Sequence, residues 1–373
     1  MSLTVLPSGT DFSAGLDAAP PRAAAQPGPD GLAPRPDRLL DTHGRTIRDV
    51  RLSITDRCNF RCVYCMDPDH RYLPKQALLS VDEYLDVCRI LRSLGVETLR
   101  ITGGEPTLYR DLDRIISGAA ELGFRDIAMT TNGSTLTPAR ARRYHDLGLH
   151  RVTFSLDSLQ EERSRAITRA RAAASDVVRA IRAAQDAGFD PIKVNAVVLR
   201  GVNDDECADF ADFAREHGVQ MRLIEWMPLD SGGTWDRREM VTADEMLAAI
   251  RERHELVDLG RPRGPSQTSL DFGFPEGGPG RVGIIASVTR AFCGACSRLR
   301  ITADGAVRPC LFSREEWSLK KVLRDPALAG DAAARDDALR QFLIDATWTK
   351  QPGHEINADG FEPPRRGMSA IGG

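Results

Sequence analysis

Residues 51–66, RLSITDRCNFRCVYCM, place three cysteines in a C-x3-C-x2-C spacing behind an alternating apolar stretch that predicts a β-strand. The three are Cys58, Cys62 and Cys65. Three thiolates on one short loop can hold three irons of a [4Fe–4S] cubane, which normally takes four cysteines. Because no fourth cysteine lies nearby in the sequence, the spacing predicts a cluster with one iron open to a ligand that is not protein.

A structural zinc site is the alternative interpretation of this loop. Zinc closes its coordination shell with a fourth Cys or His, and His70 is the only local candidate. Zinc sites also favour C-x2-C pairs at both ends over a compact trio of cysteines. The spacing therefore favours iron and sulfide over zinc.

The aromatic residue before the last cysteine, Tyr64, adds a resemblance. A cluster loop of this form resembles that of the radical S-adenosylmethionine (SAM) enzymes. In that superfamily the open iron chelates the amino and carboxylate groups of SAM. The resemblance implies that SAM supplies the difficult chemistry here too.

Composition limits the other classes of function. The chain has 373 residues and is 42% hydrophobic, enough for one large domain with additions or for two modest ones. A formal charge of −3 and a pI near 6.2 predict no general attraction to nucleic acid or to an anionic membrane. No stretch approaches the roughly 18 apolar residues of a membrane span, and the N-terminus lacks a secretory pattern. We expect a cytoplasmic protein.

Residues 1–40 are rich in Ala, Pro and Gly without periodicity and predict a disordered arm. From about residue 46, apolar strand patterns and helical patterns alternate six times, and a further helix follows near 242–253. Such a series predicts parallel strands with right-handed crossovers. We expect a partial (β/α)6 barrel over residues 41–255, and a C-terminal region over 256–373 that carries a second cluster. A doubly wound sheet is the alternative that periodicity leaves open.

Strand ends in such a barrel carry the chemistry. After the second strand, Gly103 and Gly104 remove side chains and predict close approach of a ligand to the backbone. The fifth strand carries Lys193 between apolar neighbours, where a bare buried charge is expensive without an anionic partner. Other candidate positions at strand ends are Thr130, Ser155 and Met227.

A second group of cysteines, Cys293, Cys296 and Cys310, again provides three ligands with no obvious fourth. Alone, this group fits a zinc knuckle equally well; beside the first trio it favours an auxiliary [4Fe–4S] cluster. Between its members lie Arg298, Leu299 and Arg300. Guanidinium groups suit bidentate capture of phosphate, so these arginines with Lys193 predict an anionic, phosphate-bearing substrate.

From about residue 40 to its final glycine, the chain resembles the MoaA family of GTP 3′,8-cyclases of molybdenum cofactor biosynthesis. The motifs that carry this resemblance include LRITGGEP, TTNG, KVNAVVLRGVND, IEWMPL, CGACSRLRITADG and the closing Ile371-Gly372-Gly373. The resemblance implies a lyase with two [4Fe–4S] clusters, each on one cysteine trio. It further implies a 5′-deoxyadenosyl radical that abstracts hydrogen from C3′ of GTP, giving (8S)-3′,8-cyclo-7,8-dihydroguanosine 5′-triphosphate.

The same resemblance assigns roles to single residues. Around SAM it implies Tyr64, Gly104, Ser155 and Met227. Facing GTP it implies Arg51, Arg100, Thr130, Lys193, Arg298, Leu299 and Arg300, and it places the catalytic Gly372 and Gly373 in the active site. The implied partners are an electron donor such as a flavodoxin or ferredoxin, a downstream cyclic pyranopterin monophosphate synthase and, as an option, a second copy in a homodimer.

Two other classes of function are alternative interpretations of this sequence. A radical SAM enzyme that modifies a peptide would leave Arg298, Arg300 and the Gly-Gly end without an explanation. A noncatalytic module that binds zinc or nucleic acid predicts a basic face, while this chain is slightly acidic. Both fit the sequence less well than the cyclase does.

Overall fold

The structure, a computed structural model, describes residues 19–25, 28, 31–230 and 233–372. Six strands and their helices alternate along its first part, close to the predicted positions. The strands are β1 Asp49–Ser53, β2 Thr98–Thr102, β3 Asp126–Thr131, β4 Arg151–Ser155, β5 Lys193–Val198 and β6 Gln220–Glu225. The helices are α1 Val81–Ser93, α2 Leu112–Glu121, α3 Pro138–Asp146, α4 Glu161–Thr168, α5 Ala174–Asp186, α6 Cys207–His217 and α7 Ala243–Arg251.

Strand order decides between the two predicted architectures. Strands β1 to β6 lie side by side in sequence order, and each pairs with the next in parallel. A doubly wound sheet would reverse its strand order at a switch point. The expected partial (β/α)6 barrel is therefore confirmed, and the doubly wound alternative is wrong.

The C-terminal region extends both edges of the same sheet. Its strands are β7 Val257–Gly260, β8 Leu270–Gly273, β9 Arg281–Ile285, β10 Arg298–Ile301, β11 Ala306–Arg308 and β12 Trp317–Ser318. Strand β9 pairs in parallel with β6, and β10 pairs in parallel with β1. The boundary that we predicted at residues 255 and 256 therefore falls within one continuous sheet, and as a domain limit it stays a prediction.

Three further helices complete the described chain: α8 Lys320–Leu323, α9 Ala332–Trp348 and α10 Met368–Ile371. Part of the N-terminal arm lies against α9, since Ala23 is buried and its backbone N–H donates to Asp345 at 2.9 Å. At Ala23 the structure therefore shows an ordered contact in place of the predicted disorder. For residues 1–18 the predicted disorder lies outside the described residues.

Strand alternation gives the barrel two different faces. In β1, Val50 and Leu52 are fully buried in the main hydrophobic core, and Arg51 between them lines the inner cavity. The outer face thus packs against helices through apolar side chains, while the inner face can be polar. Among the described residues, no helix combines the length and the apolar character that crossing a bilayer requires.

Candidate functional site: a barrel cavity between two cysteine trios

Both cysteine trios line one cavity of about 680 Å³ inside the barrel. The first trio follows the carboxyl end of β1, whereas Cys293 and Cys296 precede the start of β10. Because β1 and β10 run parallel, the two trios approach the cavity from opposite ends. A molecule in the cavity can therefore contact both.

The first trio sits on a loop that is fixed from two sides. The backbone N–H groups of Arg61 and Val63 donate to the end of α4, to Thr168 at 2.8 Å and Ile167 at 3.0 Å. Within the loop, Cys65 N–H donates to the Cys62 carbonyl at 2.9 Å. These bonds hold three thiols at the cavity wall without tying the sulfur atoms to one another.

The donor set fits a four-iron cluster. Burial raises the pKa of Cys58 to about 11 and that of Cys65 to about 12. The protein alone therefore keeps these thiols protonated, and metal binding would have to release their protons. Within the described ranges, no three Cys, His, Asp or Glu side chains are grouped tightly enough for one metal ion. A cubane does not need that grouping, because each of its thiolates binds a different iron.

Tyr64 is held in the cavity wall by a buried carboxylate. Its hydroxyl donates to Asp157 Oδ2 at 2.7 Å, and the other carboxylate oxygen accepts the Val197 N–H at 2.9 Å. Burial raises the pKa of Asp157 to about 6. Asp157 and Tyr64 are 93 residues apart in the chain, so no local pattern in the sequence indicates this contact.

The Gly-Gly turn after β2 has a different immediate cause from the one expected. A Cβ on Gly103 would lie 2.4 Å from the Thr55 carbonyl oxygen, and one on Gly104 would lie 2.3 Å from that of Arg57. Real Cβ atoms do not approach backbone this closely. The chain that passes these glycines is thus its own cluster loop, and close approach of a ligand to them stays a prediction. Gly104 also lines the cavity.

Glu105 connects the turns that follow β2 and β3. Its carboxylate accepts the Asn132 N–H at 2.7 Å, the Thr131 hydroxyl at 2.7 Å and the Thr107 N–H at 3.0 Å. Asn132 in turn donates to Asn59 in the cluster loop at 2.9 Å. The TTNG stretch is therefore more than an isolated Asn-Gly turn, since it supports the loop that carries the first trio.

Three arginines stand side by side on neighbouring strands. Arg51 pairs in register with Arg300 of β10 on one side and with Arg100 of β2 on the other. Burial, together with the charge of Arg300, lowers the pKa of Arg51 well below its usual range. Burial, together with the charge of Arg51, lowers the pKa of Arg100 to about 9. Unpaired charges this crowded are costly unless an anion joins them.

Lys193 and Arg222 extend this positive surface along β5 and β6. Burial, assisted by the charge of Arg222, lowers the pKa of Lys193 to about 5, and burial with the charge of Arg100 lowers that of Arg222 to about 9. In the ranges that the structure describes, no ion pair involves Lys193, Arg51 or Arg100. Our sequence reasoning missed Arg222, although a charge inside an apolar strand is the signal that singled out Lys193.

The remaining sequence candidates divide into two groups. Thr130, Ser155, Met227 and Arg298 line the cavity. Leu299 does not, because its side chain is fully buried in the hydrophobic core. Alternation along β10 turns Arg298 and Arg300 to one face and Leu299 to the other. The Leu299 side chain therefore cannot contact a ligand in the cavity, and only its backbone could take part.

The second trio has a more positive setting than the first. Burial raises the pKa of Cys296, but Arg298 and Lys350 outweigh it and bring that pKa down to about 7. Arg45, which sequence reasoning missed, donates to the carbonyls of Cys293 and Pro352, both at 2.9 Å. This buried arginine joins the turn before β10 to the segment after α9, so it fixes the trio's position.

The described end of the chain enters the barrel. The Arg300 guanidinium donates to the carbonyl of Gly372, and Ser369 lines the cavity together with the first trio. Gly372 has φ 73, and a Cβ there would lie 2.5 Å from Ser53 Oγ. Glycine is thus required at this position. Gly373 lies outside the described residues.

Comparisons with known proteins decide the family. Residues 52–214 match the model of the Radical SAM superfamily, and residues 219–356 match that of Molybdenum Cofactor Synthesis C. A GTP 3′,8-cyclase of Mycobacterium sp. strain KMS is 45% identical over 338 residues, covering 90% of this chain and 93% of the relative. One from Corynebacterium glutamicum strain R is 44% identical over 345 residues, covering 90% and 89%. The chain belongs to the GTP 3′,8-cyclase family.

Solved structures support the fold of this cyclase-family chain. Streptococcus suis SuiB bound to S-adenosylmethionine has a TM-score of 0.59 at 13% identity, over 87% of this chain and 77% of that one. A second SuiB structure has a TM-score of 0.55 at 15% identity, over 84% and 68%. At such low identity these likenesses establish the radical SAM fold alone. Membership of the cyclase family confirms the predicted SAM and [4Fe–4S] cofactors.

Proposed function

We propose that this protein converts GTP into (8S)-3′,8-cyclo-7,8-dihydroguanosine 5′-triphosphate, the first step of molybdenum cofactor biosynthesis. One observation carries the proposal: a single cavity joins both cysteine trios, and unpaired buried cations line its wall between them. A polyanionic substrate that must meet both trios fits that arrangement. The family supplies the identity of the substrate.

When bound, the cluster on the first trio and its SAM supply a 5′-deoxyadenosyl radical. Tyr64, Gly104, Ser155 and Met227 line the same cavity as the first trio, and we propose that they contact SAM. We infer that the Tyr64–Asp157 bond fixes one side of that contact, since the tyrosine cannot rotate without breaking a 2.7 Å hydrogen bond.

Arg51, Arg100, Thr130, Lys193, Arg298 and Arg300 would bind GTP, with Arg222 added from the structure. Guanidinium groups on adjacent strands can each bind one of the successive phosphates through two hydrogen bonds. With its base toward the second trio, the nucleotide would present its ribose to the first. Positioning of this kind is the protein's main contribution to the reaction.

The pathway also implies partners that lie beyond the comparisons. We propose that a flavodoxin or ferredoxin supplies electrons, and that a cyclic pyranopterin monophosphate synthase consumes the product. Assembly as a homodimer belongs to the same set of proposals. The first two can be tested by adding the candidate partner to the purified chain under anaerobic conditions, and the homodimer by measuring the molar mass of the chain in solution.

The decisive experiment uses anaerobically reconstituted protein, which should hold about eight irons in two clusters. With SAM, a reductant and GTP deuterated at C3′, the label should appear in 5′-deoxyadenosine. GTP deuterated at C2′ is the matched control and should transfer none. Replacing Cys58, Cys62 and Cys65 by Ala should halve the iron and abolish SAM cleavage. Stoichiometric zinc in protein purified without oxygen, or label transfer from C2′, would overturn the proposal.

A further inference from the structure

A buried arginine lies six residues before the described end of the chain. It lies in the segment Glu362 to Gly367, which is rich in Pro and Arg, yet Arg366 is only 4% exposed. Its guanidinium donates to Asp304 Oδ1 at 3.1 Å, to Asp304 Oδ2 at 2.9 Å and to Glu316 Oε1 at 2.7 Å. A two-pronged contact with one carboxylate and a bond to a second make a strong, directional anchor.

Both carboxylates are also held by residues outside the tail. Asp304 lies in the turn between β10 and β11, where the Thr302 hydroxyl donates to it. Glu316 directly precedes β12 and accepts a bond from Arg308, a buried residue of β11. Burial raises the pKa of Asp304, but the charge of Arg366 outweighs it and holds that pKa below its usual value. The Asp304 carboxylate is therefore held in its charged form opposite the Arg366 guanidinium.

Arg366 and Gly372 both contact the hairpin that β10 and β11 form. Strand β10 carries Arg300, which donates to the Gly372 carbonyl, and the turn after β10 carries Asp304. Between these two contacts the chain runs through α10, whose Ser369 lines the cavity together with the first trio. Fixing Arg366 thus limits where the last residues can reach.

We propose that Arg366, bound by Asp304 and Glu316, is a positioning residue that places the glycine tail between the two cysteine trios. This inference rests on the proposed function, because it concerns the tail's part in that reaction. The physical reason is entropic: a chain end loses its conformational freedom when it enters a cavity. A tail tethered at Arg366 has only six described residues left to order, up to Gly372.

The first test compares full-length variants by hydrogen exchange and activity. Arg366→Ala and the nearly isosteric Asp304→Asn should each speed amide exchange at residues 368–372 by about tenfold or more, as expected when one partner of a buried ion pair is lost. GTP cyclisation should fall by a similar factor, while iron content stays unchanged. Arg366→Lys should recover part of both, because one ammonium can still reach one carboxylate.

A matched control removes a different ion pair. Arg163 binds the buried Glu206 far along the chain from the tail, and neither residue lines the cavity. Arg163→Ala should leave exchange at residues 368–372 unchanged. If it loosens the tail as much as Arg366→Ala does, the effect is general destabilisation and the proposal fails.

A peptide added in trans separates anchoring from overall stability. A labelled peptide copying residues 363–373 should bind the Arg366→Ala protein, as measured by fluorescence anisotropy, because its own arginine fills the vacant pocket. The same peptide with Ala at position 366 should bind at least about tenfold more weakly. In the Arg366→Ala/Asp304→Asn double variant this difference should shrink, as a double-mutant cycle requires for two directly coupled groups.

Equal binding of the two peptides to the Arg366→Ala protein would overturn the proposal. Neither the anisotropy nor the exchange measurement involves GTP. If the wild-type protein fails to cyclise GTP but the peptides still differ, the proposed function is wrong and the anchor stands. If cyclisation occurs but the peptides bind alike, the anchor is wrong and the function stands.

Discussion

Lys193 should make GTP binding depend on pH in a way that reports its burial. Without a ligand its pKa is lowered to about 5, first by burial and then by the charges of Arg222 and Arg263. Protonating it at pH 7 therefore costs about 3 kcal/mol, since pH 7 lies about two units higher and each unit is worth about 1.4 kcal/mol. A bound triphosphate supplies the missing negative charge and raises this pKa again.

The sign of the effect follows from linkage. Because the pKa of Lys193 is higher in the complex than in the free enzyme, binding takes up a proton between those two values. Affinity is therefore strongest at low pH and is lost as pH rises from about 5 toward the pKa in the complex. Over that window Kd should increase by about tenfold per pH unit for one proton.

Isothermal titration calorimetry on the anaerobically reconstituted protein can measure this uptake. Titrations of GTP between pH 7 and 8.5, in buffers with different heats of ionisation, should show nearly one proton bound. The window starts at pH 7 because phosphate groups themselves titrate near pH 6. Lys193→Met should remove the slope, and Lys75→Met, at an exposed position that does not line the cavity, should keep it. An unchanged slope in Lys193→Met would refute the reasoning.

Three further outcomes are expected. Cys310→Ala should abolish cyclisation of GTP but leave some reductive SAM cleavage, because the first trio is complete without it; iron analysis showing loss of both clusters would contradict this. Deleting Gly372 and Gly373 should leave folding and iron intact while hydrogen abstraction from C3′ falls severely, and a peptide copying residues 363–373 should restore part of it; full activity of the truncated protein would reduce the tail to a frayed end. Gly104→Ala should displace the cluster loop, since its Cβ would lie 2.3 Å from the Arg57 carbonyl oxygen; normal iron content and thermal stability would rule out that clash.

The sequence by itself determined the features that are local in the chain. Two cysteine trios with short spacings indicated clusters because ligands for one metal site often lie on one loop. Alternating strand and helix patterns predicted the order of six β/α units because periodicity reflects which face each element buries. Helix α4 escaped this reasoning, since residues 161–168, EERSRAIT, are mostly polar and present no clear apolar stripe.

Only the tertiary structure decided which distant residues meet. Strand register aligns Arg51 with Arg100 and with Arg300, which lies 249 positions later in the chain. No local pattern encodes that alignment, because pairing between strands depends on the packing of the whole barrel. The same holds for Arg366, because its partner Asp304 lies 62 positions earlier in the chain, in the turn after β10. Spacing along the chain specifies which chemistry is available, and the fold specifies where a charge is buried and what it faces.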